Sequence, residues 1–353
     1  MEYPPVSVVM PVRNEERHLA ESVRHVLAQD YPGPLEVVLA VGPSHDRTEQ
    51  IAQELAQPTV TVIANPSGRI PSALNAARRA ARYDVIARVD GHALLPPGYL
   101  RTAVAALTDT GAADVGGIMA AEGVTPFQQA VAWGMTSPAG VGAAAFHTGG
   151  RPGSADSVYL GVYRREAIEE AGGYDEEMLR AEDWELNYRI RARGHLIWFT
   201  PELRITYRPR ASVGALGSQY FHYGRWRRVI VREHPETANF RYLAPPGAAA
   251  LVAVGLLAGL AGVIGIAAGA PAAVSWLAAG FVIPLTYLLG VTAVSAALSR
   301  GVPAQVRMRL PLILATMHMT WGAGFLTSPP GLHRVRGGST TARSGQVTAD
   351  ARE

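Results

Sequence analysis

The chain has 353 residues, of which 48% are hydrophobic and 17% are charged, and this composition excludes an intrinsically disordered protein. It contains no cysteine, which excludes disulfides, thiolate zinc sites and cysteine nucleophiles. The Lys and Arg count consists of arginine alone, and a net charge of +3 is too small to indicate a nucleic-acid partner, so we expect none.

The first ninety residues alternate between strand-like and helix-like patterns. Apolar β-branched runs predict strands, and helical spacing of apolar residues predicts helices. In chain order, the sequence predicts a strand at 6–10, a helix at 15–28, a strand at 35–41, a helix at 47–56, a strand at 60–64, a helix at 71–81 and a strand at 85–89. This alternation predicts an α/β fold with a parallel sheet, in which ligands bind outside the carboxyl ends of the strands.

Polar or glycine-rich segments follow these predicted strands. Asp90 and His92 come directly after one of them, and a carboxylate and an imidazole at that spacing can both bind one divalent cation, Mn²⁺ or alternatively Mg²⁺. A solvated turn is the other interpretation. Arg69 and Arg88 are either surface arginines or fixed positive charges for phosphate. In segment 44–48 we favour a helix cap, with Asp46 or Ser44 binding free N–H groups.

Glu182 and Asp183 open a further amphipathic helix. Carboxylates in a first helical turn are favoured by the helix dipole, which is one explanation for the pair. The other is that Asp183 is a general base held at a helix start and facing a cleft. The residues alone leave both open.

The carboxyl-terminal part of the chain predicts membrane helices. Residues 245–299 contain no charged side chain, which is enough for spans at about 247–268 and 274–298. A buried helical hairpin is the alternative. The run 310–326 is barely long enough to span and is a possible third span or an interfacial segment. Arginines follow the second span, and cytoplasmic loops are enriched in arginine, so we expect the end of that span to be cytoplasmic. The globular part precedes the first span and is therefore expected on the same side. We expect 211–244 to be a basic aromatic segment at the lipid headgroups or packed on the domain, and 327–353 to be a disordered tail.

Five motifs occur in one order: VSVVMPVRNEE, NPSGRIPSALNAA, VIARVDGH, GYDEEMLRAEDWELNYRIRARG and QYFHYGRW. Together they resemble the inverting family 2 glycosyltransferases, and in particular the membrane-anchored succinoglycan/exopolysaccharide biosynthesis glucosyltransferase subgroup. The resemblance implies a Rossmann-like GT-A (nucleotide-diphospho-sugar transferase) domain over residues 1–210, cytoplasmic, followed by carboxyl-terminal transmembrane helices within 245–326.

The resemblance also implies a role for individual residues. Asp90 and His92 match the metal motif, and Asp183, with Glu182 beside it, matches the pair whose aspartate is the catalytic base. The residues implied in binding the donor are Pro11, Arg13, Asn14, Glu15, Asp46, Arg69, Asp90, Gln219, Arg225 and Trp226. Gln219, Arg225 and Trp226 resemble the Gln-x-x-Arg-Trp motif of synthase-type relatives, but their spacing is wider. Many family members have Asp-Asp-Gly-Ser where segment 41–44 of this chain reads Val-Gly-Pro-Ser. Both acids of that motif are therefore missing here, and the remaining acid is Asp46, two residues further on.

The expected activity is metal-dependent, inverting transfer of one sugar from a nucleotide-diphospho-sugar such as UDP-glucose. The expected acceptor is a membrane-associated, polyprenyl-linked glycan in extracellular polysaccharide or cell-envelope synthesis, at the cytoplasmic membrane. Two spans are too few to enclose a polymer channel, which favours single addition. One alternative is a catalytically inactive, membrane-bound nucleotide-sugar-binding scaffold. Another alternative is a membrane nucleotidyltransferase or a transporter subunit. Transport is disfavoured because the two predicted spans contain no acidic or basic residue, which a polar transport pathway would be expected to contain.

Overall fold

The computed structural model describes residues 3–333, and these form two compact units. The first unit comprises the described residues up to Ala121 together with Ala143–Tyr207. The second comprises Glu122–Gly142 together with the described residues from Arg208 onward. Residues 334–353, which make up most of the predicted tail, lie outside the described part of the chain.

The first unit is an α/β domain. Its elements in chain order are β1 Val6–Val12, α1 Leu19–Leu27, β2 Leu35–Val41, α2 Thr48–Glu54, β3 Val60–Ala64, α3 Ile70–Ala80, β4 Val85–Arg88, α4 Tyr99–Thr110 and β5 Asp114–Ala121. After helices α5 Pro126–Thr136 and α6 Pro138–Val141, which belong to the second unit, it continues with α7 Ala145–Thr148, β6 Gly153–Ser154, β7 Tyr159–Arg164, α8 Arg165–Glu170, α9 Glu182–Ala192 and β8 Ile197–Tyr207. All seven elements predicted for the first ninety residues are present, with boundary shifts of up to four residues.

One sheet of eight strands organises this unit, in the order β3-β2-β1-β4-β7-β5-β8-β6. Strands β1 to β4 pair in parallel, as predicted, so their carboxyl ends meet at one edge. The sheet as a whole is mixed, because β7 runs antiparallel to both β4 and β5, and β6 runs antiparallel to β8.

Side chains alternate between the two faces of the sheet, as the period of two in a strand requires. In β1, Val8 and Met10 enter a core formed with α1 and α4, whereas Val9 enters a second core formed with α3 and α8. Both faces of the central strands are therefore buried, which explains their continuous apolar runs.

A buried carboxylate ties the amino ends of the central strands together. Glu36 in β2 accepts hydrogen bonds from Ser7 Oγ at 2.6 Å, from the Arg82 backbone N at 2.6 Å and from Arg82 Nε at 2.7 Å. Burial raises the pKa of Glu36, but the hydrogen bonds from Ser7 and Arg82 bring it below its usual value. Glu36 is thus an ionised structural group at the edge opposite the carboxyl ends of the strands.

The second unit is helical. Its elements beyond β8 are α10 Val213–Glu233, a 3₁₀ turn Pro235–Thr237, α11 Phe240–Ala267, α12 Ala272–Ser275, a 3₁₀ segment Trp276–Phe281, α13 Val282–Leu298, α14 Ala304–Arg307 and α15 Leu310–Leu326. By length and composition, two stretches can cross a membrane: Phe240–Ala267 with 28 residues and Ala272–Leu298 with 27. Large apolar side chains such as Leu257 and Leu289 lie exposed along them. Helix α15 has the predicted bounds and only 17 residues.

The first span packs closely on the 3₁₀ segment of the second. Gly262 lies so near the Ala278 backbone nitrogen that a Cβ on it would overlap that atom, and a Cβ on Gly255 would lie 2.8 Å from the Gly280 carbonyl oxygen. Small residues that bring backbones together are typical of helix pairs in membranes.

Residues 122–142 pack on α15. A Cβ on Gly134 would lie 2.9 Å from Met317 Sδ, and His318 Nε2 lies 2.7 Å from the Ala139 carbonyl oxygen. Thr125 and Gln128 form a reciprocal capping box at the start of α5. The chain therefore leaves the sheet after β5, builds part of the helical unit, and returns at Ala143.

Candidate active site

The loops after β1 and β2 are joined by hydrogen bonds. The Asn14 backbone N donates to Ser44 Oγ at 3.1 Å, and the His45 backbone N donates to Asn14 Oδ1 at 2.9 Å. The Glu15 backbone N donates to Thr48 Oγ1 at 2.7 Å. Asn14 has a φ of 54°, a left-handed conformation that asparagine tolerates better than most residues. The first strand end is therefore held rigidly against the start of α2.

Asp46 lies within this junction. Its carboxylate accepts from the backbone N of Thr48 at 3.0 Å and from that of Glu16 at 3.3 Å. Burial raises the pKa of Asp46, but the hydrogen bonds from Thr48 and Glu16 outweigh it and lower the pKa. Asp46 therefore binds a free N–H group at the start of α2, as the favoured interpretation has it, although the N-cap residue is Arg47, whose side chain makes no cap bond. A contact of Asp46 with the donor stays a prediction.

Arg13 joins the loops after β2 and β3. Its Nε donates to the Pro43 carbonyl oxygen at 3.2 Å, and its Nη1 donates to that of Gly68 at 3.3 Å. These loops approach so closely that a Cβ on Gly42 would lie 3.0 Å from Gly68 Cα. A side chain at Gly42, where many members of the family that the sequence resembles carry an acid, would therefore push against the loop after β3.

Arg69 begins α3 and reaches the segment before α9. Its Nη1 donates to the Glu176 carbonyl oxygen at 3.4 Å. The Glu176 carboxylate accepts from Ser72 Oγ at 2.7 Å and from Asn75 Nδ2 at 3.0 Å. Burial raises the pKa of Glu176, and the hydrogen bonds from Asn75 and Ser72, helped by Arg79 and Arg69, lower it further than burial raises it. Two of the sequence motifs, NPSGRIPSALNAA and GYDEE, therefore contact each other.

Arg88 ends β4 and is the centre of the site. Its guanidinium is buried and contacts three carboxylates: Nε lies 3.1 Å from Asp90 Oδ1, Nη2 lies 3.1 Å from Glu182 Oε1, and Nη1 contacts Asp183 Oδ1. Burial lowers the pKa of Arg88, but the Asp90 and Glu182 carboxylates more than offset this and raise it above its ordinary value. Arg88 is therefore permanently charged and paired with these carboxylates. Its burial shows that the surface-arginine interpretation was wrong, and its three carboxylate partners do not support the alternative of a charge held ready for phosphate.

Helix α9 starts under strain. Ala181, the residue before Glu182, has a φ of 62°, which is rare for a residue with a Cβ. Such outliers persist only where the surrounding structure imposes them, and they cluster at functional sites. The conformation directs the first turn of α9, with Glu182 and Asp183, onto Arg88.

Asp90 and His92 are the residues that would hold a cation. The Asp90 side chain is 22% exposed and that of His92 is 51% exposed, so both are accessible. His92 Nδ1 lies 2.9 Å from Glu15 Oε1, and when that nitrogen donates to the carboxylate, Nε2 carries the lone pair that binds a metal. A Cβ on Gly91 would lie 3.1 Å from Glu15 Cγ, so glycine lets the two loops meet.

Within residues 3–333, no three His, Cys, Asp or Glu side chains are grouped to hold a metal ion. Two protein ligands nevertheless fit Mg²⁺ or Mn²⁺, because these cations retain waters and bind substrate phosphates. The mixed carboxylate and imidazole set suits Mn²⁺. The residues present therefore fit a divalent cation whose remaining ligands are waters or phosphate oxygens.

The predicted site residues fall into two groups. Those of the first unit, from Pro11 to Asp183, lie at the carboxyl ends of β1 to β4 and at the start of α9, and hydrogen bonds or ion pairs connect many of them. Gln219, Arg225 and Trp226 lie on α10 in the second unit. There Gln219 Nε2 donates to Tyr223 Oη at 3.0 Å, the Arg225 guanidinium lies 5.7 Å from the Phe221 ring centroid, and Trp226 is buried. Their role with the donor stays a prediction.

Comparison with known proteins gives a consistent result. A family profile described as "Glycosyl transferase family 2" matches residues 7–172. The "Succinoglycan biosynthesis protein ExoA" of Rhizobium meliloti is 32% identical over 90% of this chain and 93% of its own length. A Methanococcus voltae protein named "Dolichyl N-acetyl-alpha-D-glucosaminyl phosphate 3-beta-D-2,3-diacetamido-2,3-dideoxy-beta-D-glucuronosyltransferase" is 22% identical over 65% of this chain and 74% of its own.

Among solved structures, the mannosyltransferase PcManGT from Pyrobaculum calidifontis, in complex with GDP-Man and Mn²⁺, is similar in fold. It aligns with a TM-score of 0.57 and 21% identity, covering 92% of this chain and 88% of its own. The first unit therefore has the GT-A fold that the sequence predicts.

Proposed function

The chain belongs to glycosyl transferase family 2, and on that premise we propose that it transfers a single sugar, with inversion, from a nucleotide-diphospho-sugar to a lipid-linked glycan. The context is polysaccharide biosynthesis, as for its Rhizobium relative. The donor proposed is a UDP-hexose such as UDP-glucose. The acceptor proposed is a glycan on a polyprenyl carrier at the cytoplasmic face of the membrane.

The observation that carries this proposal is the position of Asp90 and Asp183. They come from different elements, the loop after β4 and the start of α9, yet both contact the guanidinium of Arg88. Inverting transfer needs a group that stabilises the leaving diphosphate and a base for the attacking hydroxyl, held in one cleft. Their shared contact with Arg88 supports the proposal that Asp90 holds the cation that would stabilise the diphosphate and that Asp183 is the base.

Each residue has a distinct task in the proposed displacement. Asp183 takes the proton from the acceptor hydroxyl as this oxygen attacks the anomeric carbon from the face opposite the nucleotide. Asp90 and His92 would hold the divalent cation, which when bound would neutralise negative charge on the diphosphate. Arg69, at the amino end of α3, adds positive charge for the same leaving group. An α-linked donor then gives a β-linked product.

The donor contact is proposed for the three loops at the strand ends. Arg13, Asn14 and the segment 42–46 are fixed to one another by the hydrogen bonds described above, so they form a rigid cradle. Gly42 leaves no carboxylate at the usual base-contacting position, and Asp46 is committed to Thr48 and Glu16. The base is therefore proposed to meet main-chain groups and Arg13 rather than an acid.

The acceptor is proposed from the helical unit. Two helices long and apolar enough to cross a membrane follow the catalytic domain. Arg300, Arg307 and Arg309 come after the second of these, and the arginine bias of membrane proteins supports a cytoplasmic position for that end. The name of the Methanococcus relative, a transferase onto a dolichyl-phosphate-linked sugar, supports a lipid-linked acceptor.

A nucleotide-sugar panel tests the proposal. Membranes containing the full-length chain would be incubated with UDP-, GDP- and dTDP-sugars, with Mn²⁺ or with EDTA, and lipid products would be identified by mass. One added hexose that requires Mn²⁺ is the expected result. Binding of a nucleotide sugar without hydrolysis or transfer in any arm would instead support the inactive scaffold. The scaffold alternative relied on the missing acids at Val41 and Gly42. The close packing of Gly42 against Gly68 offers a structural explanation for the glycine that does not involve loss of activity.

A further inference from the structure

Arg88 is the least exposed charged group of the site. Its side chain is 6% exposed, and each of its guanidinium nitrogens faces a different carboxylate. A planar guanidinium holds its donors in a fixed fork, so the directions of the three carboxylates are set relative to one another. Two of the three, Asp90 and Asp183, are the metal ligand and the base of the proposed reaction.

The charges of this cluster do not cancel. One buried guanidinium faces the carboxylates of Asp90, Glu182 and Asp183, which leaves an excess of two negative charges. A divalent cation on Asp90 compensates that excess. The cluster is therefore matched to a cation of charge two, and Arg88 keeps the three carboxylates together when none is bound.

A purely structural function explains less of the geometry. Buried ion pairs are weak evidence for stability, because desolvation opposes their attraction. The left-handed Ala181 holds the first turn of α9 in a conformation that an alanine adopts at an energetic cost. The backbone conformation of Ala181 and the contacts with the Arg88 guanidinium thus both fix the orientation of Glu182 and Asp183.

From this arrangement we infer that Arg88 is a positioning residue, which aims Asp90 at the cation and Asp183 at the acceptor hydroxyl through one guanidinium. The inference rests on the proposed function. It predicts that loss of the fork impairs cation affinity and turnover together, while the affinity for the nucleotide alone persists.

Arg88→Lys tests the fork, because lysine keeps the charge but cannot bind three carboxylates in fixed directions. Full-length protein would be examined for Mn²⁺ affinity by electron paramagnetic resonance without donor, for kcat and KM, and for its thermal midpoint. We expect Mn²⁺ affinity to fall about tenfold or more, as for groups that orient metal ligands, and kcat to fall roughly 10²-fold. The matched control is Arg82→Lys, which changes the ion pair with Glu36 at the opposite edge of the sheet and leaves both quantities unchanged.

A second variant separates position from charge and covers a folding failure of the first. Arg88→Gln combined with Glu182→Gln removes one positive and one negative charge, so the excess of two negative charges stays. If Arg88 acts by position, the double variant stays impaired in Mn²⁺ binding and turnover; if it acts by charge alone, both recover and the inference is overturned. Wild-type Mn²⁺ affinity and kcat in Arg88→Lys also overturn it. Absence of sugar transfer by the wild type would refute the proposed function. If Arg88→Lys still lowered Mn²⁺ affinity in that case, the positioning of Asp90 by Arg88 would nevertheless be supported.

Discussion

Replacement of Asp183 by asparagine isolates the proton transfer in the proposed reaction. Asparagine has nearly the same shape and keeps an acceptor oxygen for Arg88, which Asp183 contacts. It cannot take up the proton of an attacking hydroxyl. Because Asp90 and Glu182 still face the Arg88 guanidinium in this variant, its buried charge stays compensated, and we expect little effect on stability.

The expected loss lies in turnover. General-base action is worth roughly 10²–10⁴-fold, which corresponds to about 3–5 kcal/mol of activation free energy. We expect kcat of Asp183→Asn to fall within that range, with unchanged donor dissociation constant and thermal midpoint. The assay measures sugar transfer by full-length protein with Mn²⁺ and the donor identified in the panel, and donor binding by calorimetry.

A matched control makes the same chemical change nearby. Asp175→Asn lies in the segment before α9, where Asp175 Oδ1 accepts from the Glu177 backbone N at 2.9 Å, a bond that asparagine preserves. This variant is expected to transfer sugar at the wild-type rate. Near-normal kcat in a folded Asp183→Asn variant would show that the base is another group, and the assignment of roles in the cleft would be wrong.

Three further changes probe the groups around the site. Glu36→Gln replaces a buried carboxylate that accepts three hydrogen bonds, and we expect it to lower the free energy of unfolding by about 1–3 kcal/mol at neutral pH. Because folding lowers the pKa of Glu36, this difference is present above the pKa of the unfolded chain, about 4.3, and shrinks as the pH falls below that pKa. Urea unfolding between pH 3 and 7 measures it. Glu15→Gln weakens the hold on His92 Nδ1 and is expected to lower Mn²⁺ affinity about tenfold with an unchanged thermal midpoint; equal affinity would contradict the orienting contact. Gly42→Ala places a Cβ 3.0 Å from the backbone after β3 and is expected to raise the donor KM more than it lowers kcat, which steady-state kinetics would measure.

The sequence predicts the first strands of the sheet well because their signal is local. Strands β2 and β3 have the predicted bounds, since apolar β-branched runs end at glycine or asparagine-proline. Helix α1 was expected from residue 15 but begins at Leu19. The backbone N–H groups of Glu15 and Glu16 before it donate to Thr48 and Asp46 of another loop. A pattern of apolar spacing contains no information about such long-range hydrogen bonds.

The mixed part of the sheet was not predictable in this way. Strand β7 enters between β4 and β5 in the antiparallel direction, and this depends on pairing between residues far apart in the chain. The second span was expected as one helix over 274–298, yet its first third is a short helix followed by a 3₁₀ segment, against which the glycines of α11 pack. Composition predicts where an apolar segment lies, and packing decides its local geometry.

The site shows the same division. Asp90, His92 and Asp183 were predicted from motifs, whereas the ion pairs of Arg88 with Glu182 and Asp183 depend on the approach of α9 to β4, two elements far apart in the chain. An arginine that ends the otherwise apolar strand VIAR is the one signal that could have indicated them, since a charged residue buried in a sheet needs partners.

The excursion of residues 122–142 restricts how this protein can be divided. A recombinant fragment ending after β8 would retain α5 and α6 but lose Met317 and His318, their neighbours on α15. The apolar surface of those two short helices would then face water, and such fragments would be expected to aggregate or to require detergent. Attempts to obtain a soluble sugar-transferring portion would do better to replace 122–142 with a short polar linker than to shorten the chain from its end.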